Sequence, residues 1–86
     1  MAVYNLFFKD SVRKDLDSIP KKDLQRIIER IESLTANPRP VGCEKLSNLE
    51  KYRLRQGNYR IIYSIQDAQL TIWVVKVGHR REIYRI

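Results

Sequence analysis

Apolar positions along the chain change their spacing several times, and each change predicts an element. Residues 3–8 form a short run rich in β-formers, read as an opening strand. Val12, Leu16 and Ile19 then fall at i, i+4 and i+7, which predicts a short helix capped by Asp10 or Ser11. Pro20 suits the first turn of a second helix and Asp23 favours its N-terminal dipole. Leu24, Ile27, Ile28, Ile31 and Leu34 keep helical spacing until Asn37-Pro38 stops it. The two helices are expected to form an antiparallel hairpin. Residues 39–48 read as a loop, after which the spacing becomes two. Strands are expected over about 52–56 and 59–65 around a Gly57-Asn58 turn, and over about 69–77 after an Asp67-Ala68 turn.

A two-residue turn fixes register. Gly57-Asn58 places Arg55 opposite Arg60, Arg53 opposite Ile62 and Lys51 opposite Ser64. With Asp67-Ala68 as the second turn, Ile65 faces Leu70, Tyr63 faces Ile72 and Ile61 faces Val74. Tyr52 and Leu54 lie on that same apolar side, against which the helical stripes can pack. The other side carries Lys51, Arg53, Arg55, Arg60, Thr71 and Trp73. Trp73 is read as either a stacking platform or, after a one-residue slip, core; Tyr4, Phe7 and Phe8 are read as core and strand packing. The expected fold is α+β, one domain over residues 1–86: an N-terminal strand and a two-helix antiparallel hairpin packed on one face of a mainly antiparallel sheet.

Charge sharpens this picture. The chain has net charge +7, and residues 51–86 hold eight Lys/Arg against Asp67 and Glu82, leaving +1 for residues 1–50. Two arginines facing across a strand pair repel by a few tenths to ~1 kcal/mol, so the arrangement makes sense with an anion between them, and the expected anion is phosphate. A membrane surface is the competing anion, but no basic amphipathic helix accompanies the charge. A single cysteine, Cys43, and no Cys/His cluster point to a reducing compartment, no metal and no cofactor. No signal peptide and no membrane-length apolar run is evident, so a cytoplasmic protein is expected.

The element order resembles the RelE/ParE superfamily of bacterial toxins. So do Leu46, Lys51-x-Arg53-x-Arg55, Gly57-x-Tyr59-Arg60 and Val77-Gly78-His79-Arg80-Arg81-Glu82-x-Tyr84. The last third is similar to the RelE branch in particular. The resemblance implies the toxin of a type II toxin–antitoxin system, a ribosome-dependent endoribonuclease that cuts mRNA in the A site of the 70S ribosome and inhibits translation. It also implies a cognate antitoxin as partner. The alternative is a ParE-like toxin that poisons DNA gyrase without cutting RNA; a basic RNA-binding module without chemistry is the third reading.

Metal-free RNA cleavage uses a 2′-OH to attack the adjacent phosphate. It needs a base, an acid and fixed positive charge for the transition state. Arg60 and Arg80 match the family's paired arginines and suit the last role, because a guanidinium grips two phosphate oxygens and stays charged. Lys51, Arg53, Arg55, Arg60 and Arg81 are the expected RNA-binding cations. His79, the sole histidine, is read as base or acid, against a plain surface histidine. Tyr84 is read as a base-stacking or proton-transfer residue, against C-terminal packing. Where relatives carry a second lysine this chain has Arg53, a poor base. That leaves His79, Lys51 or a carboxylate such as Glu44 or Glu50 for that role. Gly78 is read as a turn.

Overall fold

The computed structural model describes residues 3–46 and 50–83. β1 (Asn5–Phe8) leads into α1 (Asp10–Asp17) and α2 (Lys21–Ser33). These are followed by β2 (Glu44–Lys45), β3 (Lys51–Gln56), β4 (Tyr59–Gln66), a 3-10 turn at Asp67–Gln69, β5 (Thr71–His79) and α3 (Arg80–Ile83). The strands form one five-stranded sheet in the order β1-β5-β4-β3-β2, with β1 parallel to β5 and every other pair antiparallel.

Helix starts differ slightly from expectation. Lys9 occupies the N-cap of α1 without a side-chain cap, and Asp10 is the first helical residue, where its charge still meets the helix dipole. The Lys9 N–H is instead spent on the Val74 carbonyl at 2.9 Å, which fixes where the chain leaves the sheet. Pro20 caps α2 from just outside, accepting the Leu24 N–H at 2.8 Å.

The β3–β4 register is the expected one, with Arg55 opposite Arg60 and Lys51 opposite Ser64. The β4–β5 register is not. Ile65 pairs with Ile72 and Tyr63 with Val74, two residues beyond expectation, because the link is a 3-10 turn closed by Leu70 at φ 47°. A slip of two preserves which side chains face the core. A bulge between Ile62 and Tyr63 then brings Val77, instead of Val74, opposite Ile61. β2 falls inside the expected loop.

One face of the sheet takes the helical stripes. Val12, Ile27, Ile31 and Leu34 are fully buried against Leu54, Ile61, Tyr63, Ile72 and Val74. Each such side chain gains about 1.5–3 kcal/mol from burial. Past Phe8, β1 no longer covers β5, and α1 runs along that edge. Asp15 accepts the Val77 N–H at 3.1 Å and the Lys76 ammonium at 2.8 Å, satisfying a donor that the ladder leaves open. Phe7 and Phe8, expected in the core, are 46% and 39% exposed; alternation places Phe7 on the face away from the helices.

Candidate functional site

The hairpin between β3 and β4 builds the site. Gly57, at φ 58°, is the first of two turn residues, and glycine adopts that backbone without strain. Lys51, Arg53 and Arg55 leave β3 on one face and Arg60 leaves β4 on the same face. Arg60 donates through Nη1 to the Tyr59 carbonyl at 2.9 Å and the Gly57 carbonyl at 3.3 Å, so the turn itself orients its guanidinium. Its pKa is lowered, first by desolvation and then by the charges of Arg55, Arg53 and Arg80. It remains charged at working pH, but in a field that favours an incoming anion.

Among the described residues, Glu44 is the carboxylate paired within this cluster. Its Oε2 accepts from Arg53 Nη2 at 2.8 Å, and its Oε1 lies 3.6 Å from Arg55 Nη2. Its pKa is held below the ordinary carboxylate value, chiefly by the Arg53 hydrogen bond and charge, with further help from Arg55 and Arg60. β2 exists to place it: Glu44 pairs with Arg53 in the ladder. The Arg53 Nε is buried without a hydrogen-bond partner among the described residues. Lys51 and Arg80 have no ion pair among the described residues.

β5 and α3 close the other side. Gly78 is not in a turn but within β5, opposite Arg60, where it adds no side-chain bulk beside the guanidinium. The Arg80 N–H donates to the Asn58 carbonyl at 2.8 Å, tying the start of α3 to the hairpin turn. His79 pairs with Tyr59 and meets its ring edge-on at 5.7 Å. Tyr59 packs against the helix-covered core, so the register puts His79 on the side away from Arg60. The Arg81 N–H donates to His79 Nδ1 at 3.3 Å, which leaves the proton of the neutral ring on Nε2. The Arg81 side chain is exposed.

Lys51, Arg53, Arg55 and Arg60 are therefore assembled on one face with Arg80 near, while His79 stands apart. Tyr84 lies outside the described residues. Trp73 is on the open face, 37% exposed, with its ring stacked on Phe7 at 5.1 Å. No group of acidic, histidine or cysteine side chains suited to a metal occurs among the described residues. No described helix is long and apolar enough to cross a membrane.

A helix hairpin on a five-stranded sheet, with arginines gathered at one hairpin, defines a small toxin fold, and residues 6–84 match the family described as the ParE toxin of type II toxin–antitoxin systems. The chain belongs to this RelE/ParE family of toxins. It is 32% identical over 84 residues to toxin RelG of Mycobacterium tuberculosis, covering 95% of this chain and 97% of that one. The putative toxin RelE1 of Methanocaldococcus jannaschii is 30% identical over 86 residues, covering 95% and 96%. Among solved structures, the RelBE2 toxin–antitoxin complex of Mycobacterium tuberculosis contains a chain superposing with TM-score 0.82 at 27% identity, covering 92% of this chain and all of that one. The RelE–RelB complex of Pyrococcus horikoshii OT3 gives 0.77 at 30% identity, covering 93% and 98%.

Proposed function

We propose that this toxin is a metal-independent endoribonuclease that cuts mRNA in the ribosomal A site. Its partner would be an antitoxin, as in the RelBE2 and RelE–RelB complexes to which it is similar. The observation that carries the reading is the gathering of Arg53, Arg55 and Arg60 on one sheet face with Arg80 beside Arg60. Among the described residues Glu44 pairs with Arg53 and Arg55 alone, and the Arg60 pKa is lowered by desolvation and by its cationic neighbours. Such a site gains most from an anion carrying more charge than Glu44 supplies, as a phosphorane-like transition state does.

In this reading Arg60 and Arg80 stabilise the transition state, while Lys51, Arg53, Arg55 and Arg81 hold the flanking backbone. The depressed pKa of Glu44 suits a counter-ion and makes it a weak base, since a general base works best with a pKa near the working pH. Lys51, on the arginine face, takes the base role. His79 takes that of the acid: as the imidazolium it would pass its Nε2 proton to the leaving 5′-oxygen and return to the neutral ring. Tyr84 would stack on the base. An antitoxin with an acidic segment lying across the cations would block phosphate access.

The ParE-like alternative draws on the family description itself. Primer extension on cellular mRNA after induced expression separates the two. Cuts in phase with the A site are expected; growth arrest with gyrase-linked DNA breaks and intact mRNA would replace the nuclease with the gyrase poison. His79→Gln should lower the single-turnover rate and change the shape of its pH profile. An unchanged profile would remove His79 from proton transfer.

A further inference from the structure

We propose that Phe7 and Trp73 form a base-stacking subsite for single-stranded RNA, on the same sheet face as the arginine cluster but separate from it. Phe7 and Trp73 are register partners across the parallel β1–β5 pair, and their rings lie 5.1 Å apart at 27°. Both stay exposed on the face that the helix hairpin leaves uncovered. From Trp73 the ladder passes to Ser64 and then to Lys51, the first of the hairpin cations. Aromatic surface and fixed positive charge therefore share one face.

Chemistry selects the occupant. A single strand of RNA presents a flat π-surface and a phosphate at every residue, and proteins hold it by combining aromatic rings with a cationic track. A second copy of this chain would bring its own cations, with the chain at +7 overall, against the same face. Ser64 stands four residues from Arg60 along β4, about 13 Å at the usual strand rise. The phosphate at Arg60 and the base at Trp73 then belong to different nucleotides, and only an oligonucleotide engages both ends. The subsite rests on the ribonuclease reading and extends it to how the strand is aligned.

Trp73 is the sole tryptophan, so its fluorescence reports the site directly. The probe is a short 2′-O-methyl RNA oligonucleotide, which lacks the attacking hydroxyl and is not cut. Wild-type protein should show quenching on titration. Read by anisotropy of the end-labelled oligonucleotide, which does not need Trp73, Phe7→Leu and Trp73→Leu should each weaken binding about tenfold, as loss of one stacked base does, and Trp73→Phe should restore most of it. The slope of log affinity against log salt should not change in these variants, because no phosphate contact is lost, whereas Arg53→Ala should make it shallower. Circular dichroism verifies folding of each variant, and Trp73→Phe keeps the test decisive if Trp73→Leu misfolds. Binding that depends on Arg53 but ignores Phe7 and Trp73 overturns the subsite and leaves the nuclease reading standing. Absence of any oligonucleotide binding overturns the subsite, while the presence or absence of A-site-phased cuts still decides the nuclease reading separately. Fluorescence that changes with protein concentration alone assigns the pair to self-association and overturns the subsite.

Discussion

β4 joins two clusters of charge that obey opposite rules. At its far end Asp67 receives Arg39 in a two-pronged pair, Nη2 to Oδ2 at 2.8 Å and Nη1 to Oδ1 at 3.3 Å, and also accepts the Tyr4 hydroxyl at 2.6 Å. Arg39 spends its Nε on the Tyr52 hydroxyl at 3.1 Å and lies over that ring at 5.2 Å. Here charge is matched, the Arg39 pKa is raised by its partners, and Asp67 is held at about 2. At the near end Glu44 pairs with Arg53 and Arg55 but not with Arg60, and the Arg60 pKa is lowered by desolvation and by the charges of Arg55, Arg53 and Arg80. Matched charge closes a loop onto the sheet. Charge left unmatched against desolvation and repulsion is a strain that an added anion would relieve.

The largest effect expected from breaking this contrast is on rate. Arg60→Ala and Arg80→Ala should each slow single-turnover cleavage by roughly 10²-fold or more, the scale of losing one preorganised charge donor, with ribosome affinity falling much less. Thermal stability should hold or rise slightly in Arg60→Ala, since a facing pair of like charges is removed. Arg39→Ala should do the reverse, lowering the melting temperature and sparing the rate. Fully active Arg60→Ala and Arg80→Ala proteins would end the assignment of the near cluster to chemistry. Next in size is salt. Three or four phosphate contacts should give a log–log slope for RNA binding of about −3, and a flat response in fluorescence anisotropy would remove the electrostatic basis of the site.

What the sequence made legible follows the same division. The arginine face was readable because Gly57-Asn58 is a two-residue turn, and such a turn leaves no freedom in register. Glu44 as counter-ion was not: β2 is only two residues long, and nothing local distinguishes its acid from any loop charge. The third strand was displaced because no sequence signal marks Leu70 for positive φ, yet the even slip kept the core assignments of Ile72 and Val74. The bulge mattered more. Without it His79 would share the face of Arg60, whereas the one extra residue turns Val77 into the core and puts His79, half-buried, on that same helix-covered side. Phe7 was misread because an apolar residue on a short edge strand looks the same whether a helix or a ligand covers it.

A smaller effect belongs to the matched end. The Tyr63 hydroxyl donates to the Pro38 carbonyl at 2.7 Å, and burial pushes its pKa up. Tyr63→Phe keeps the ring that stacks on Tyr52 at 5.8 Å and leaves that carbonyl unpaired, so it should cost about 1 kcal/mol in denaturant unfolding with no change in cleavage. A loss of activity without loss of stability would mean that the two ends of β4 are coupled.

The smallest expected effect is a pH limb. Asp67 titrates near 2 in the fold against an ordinary 3.8, first because of the Arg39 hydrogen bond and then that of Tyr4. A depressed folded value means that this stabilisation is complete above about pH 4 and is lost as pH falls towards 2. Glu44 is depressed too, chiefly by Arg53, so it also loses stabilisation as pH falls, and the two must be separated by substitution. Asp67→Asn removes the charge that Arg39 needs, and should lower the melting temperature slightly at neutral pH and flatten the acid limb. Glu44→Gln should flatten the same limb while leaving Arg39 and its loop paired. It should also tighten oligonucleotide binding, because the internal competitor for Arg53 and Arg55 is gone. If Asp67→Asn leaves the acid limb as steep as in the unmutated protein, the Arg39 clamp is not what holds that end of the sheet. The contrast between matched and unmatched charge would then rest on the arginine cluster alone.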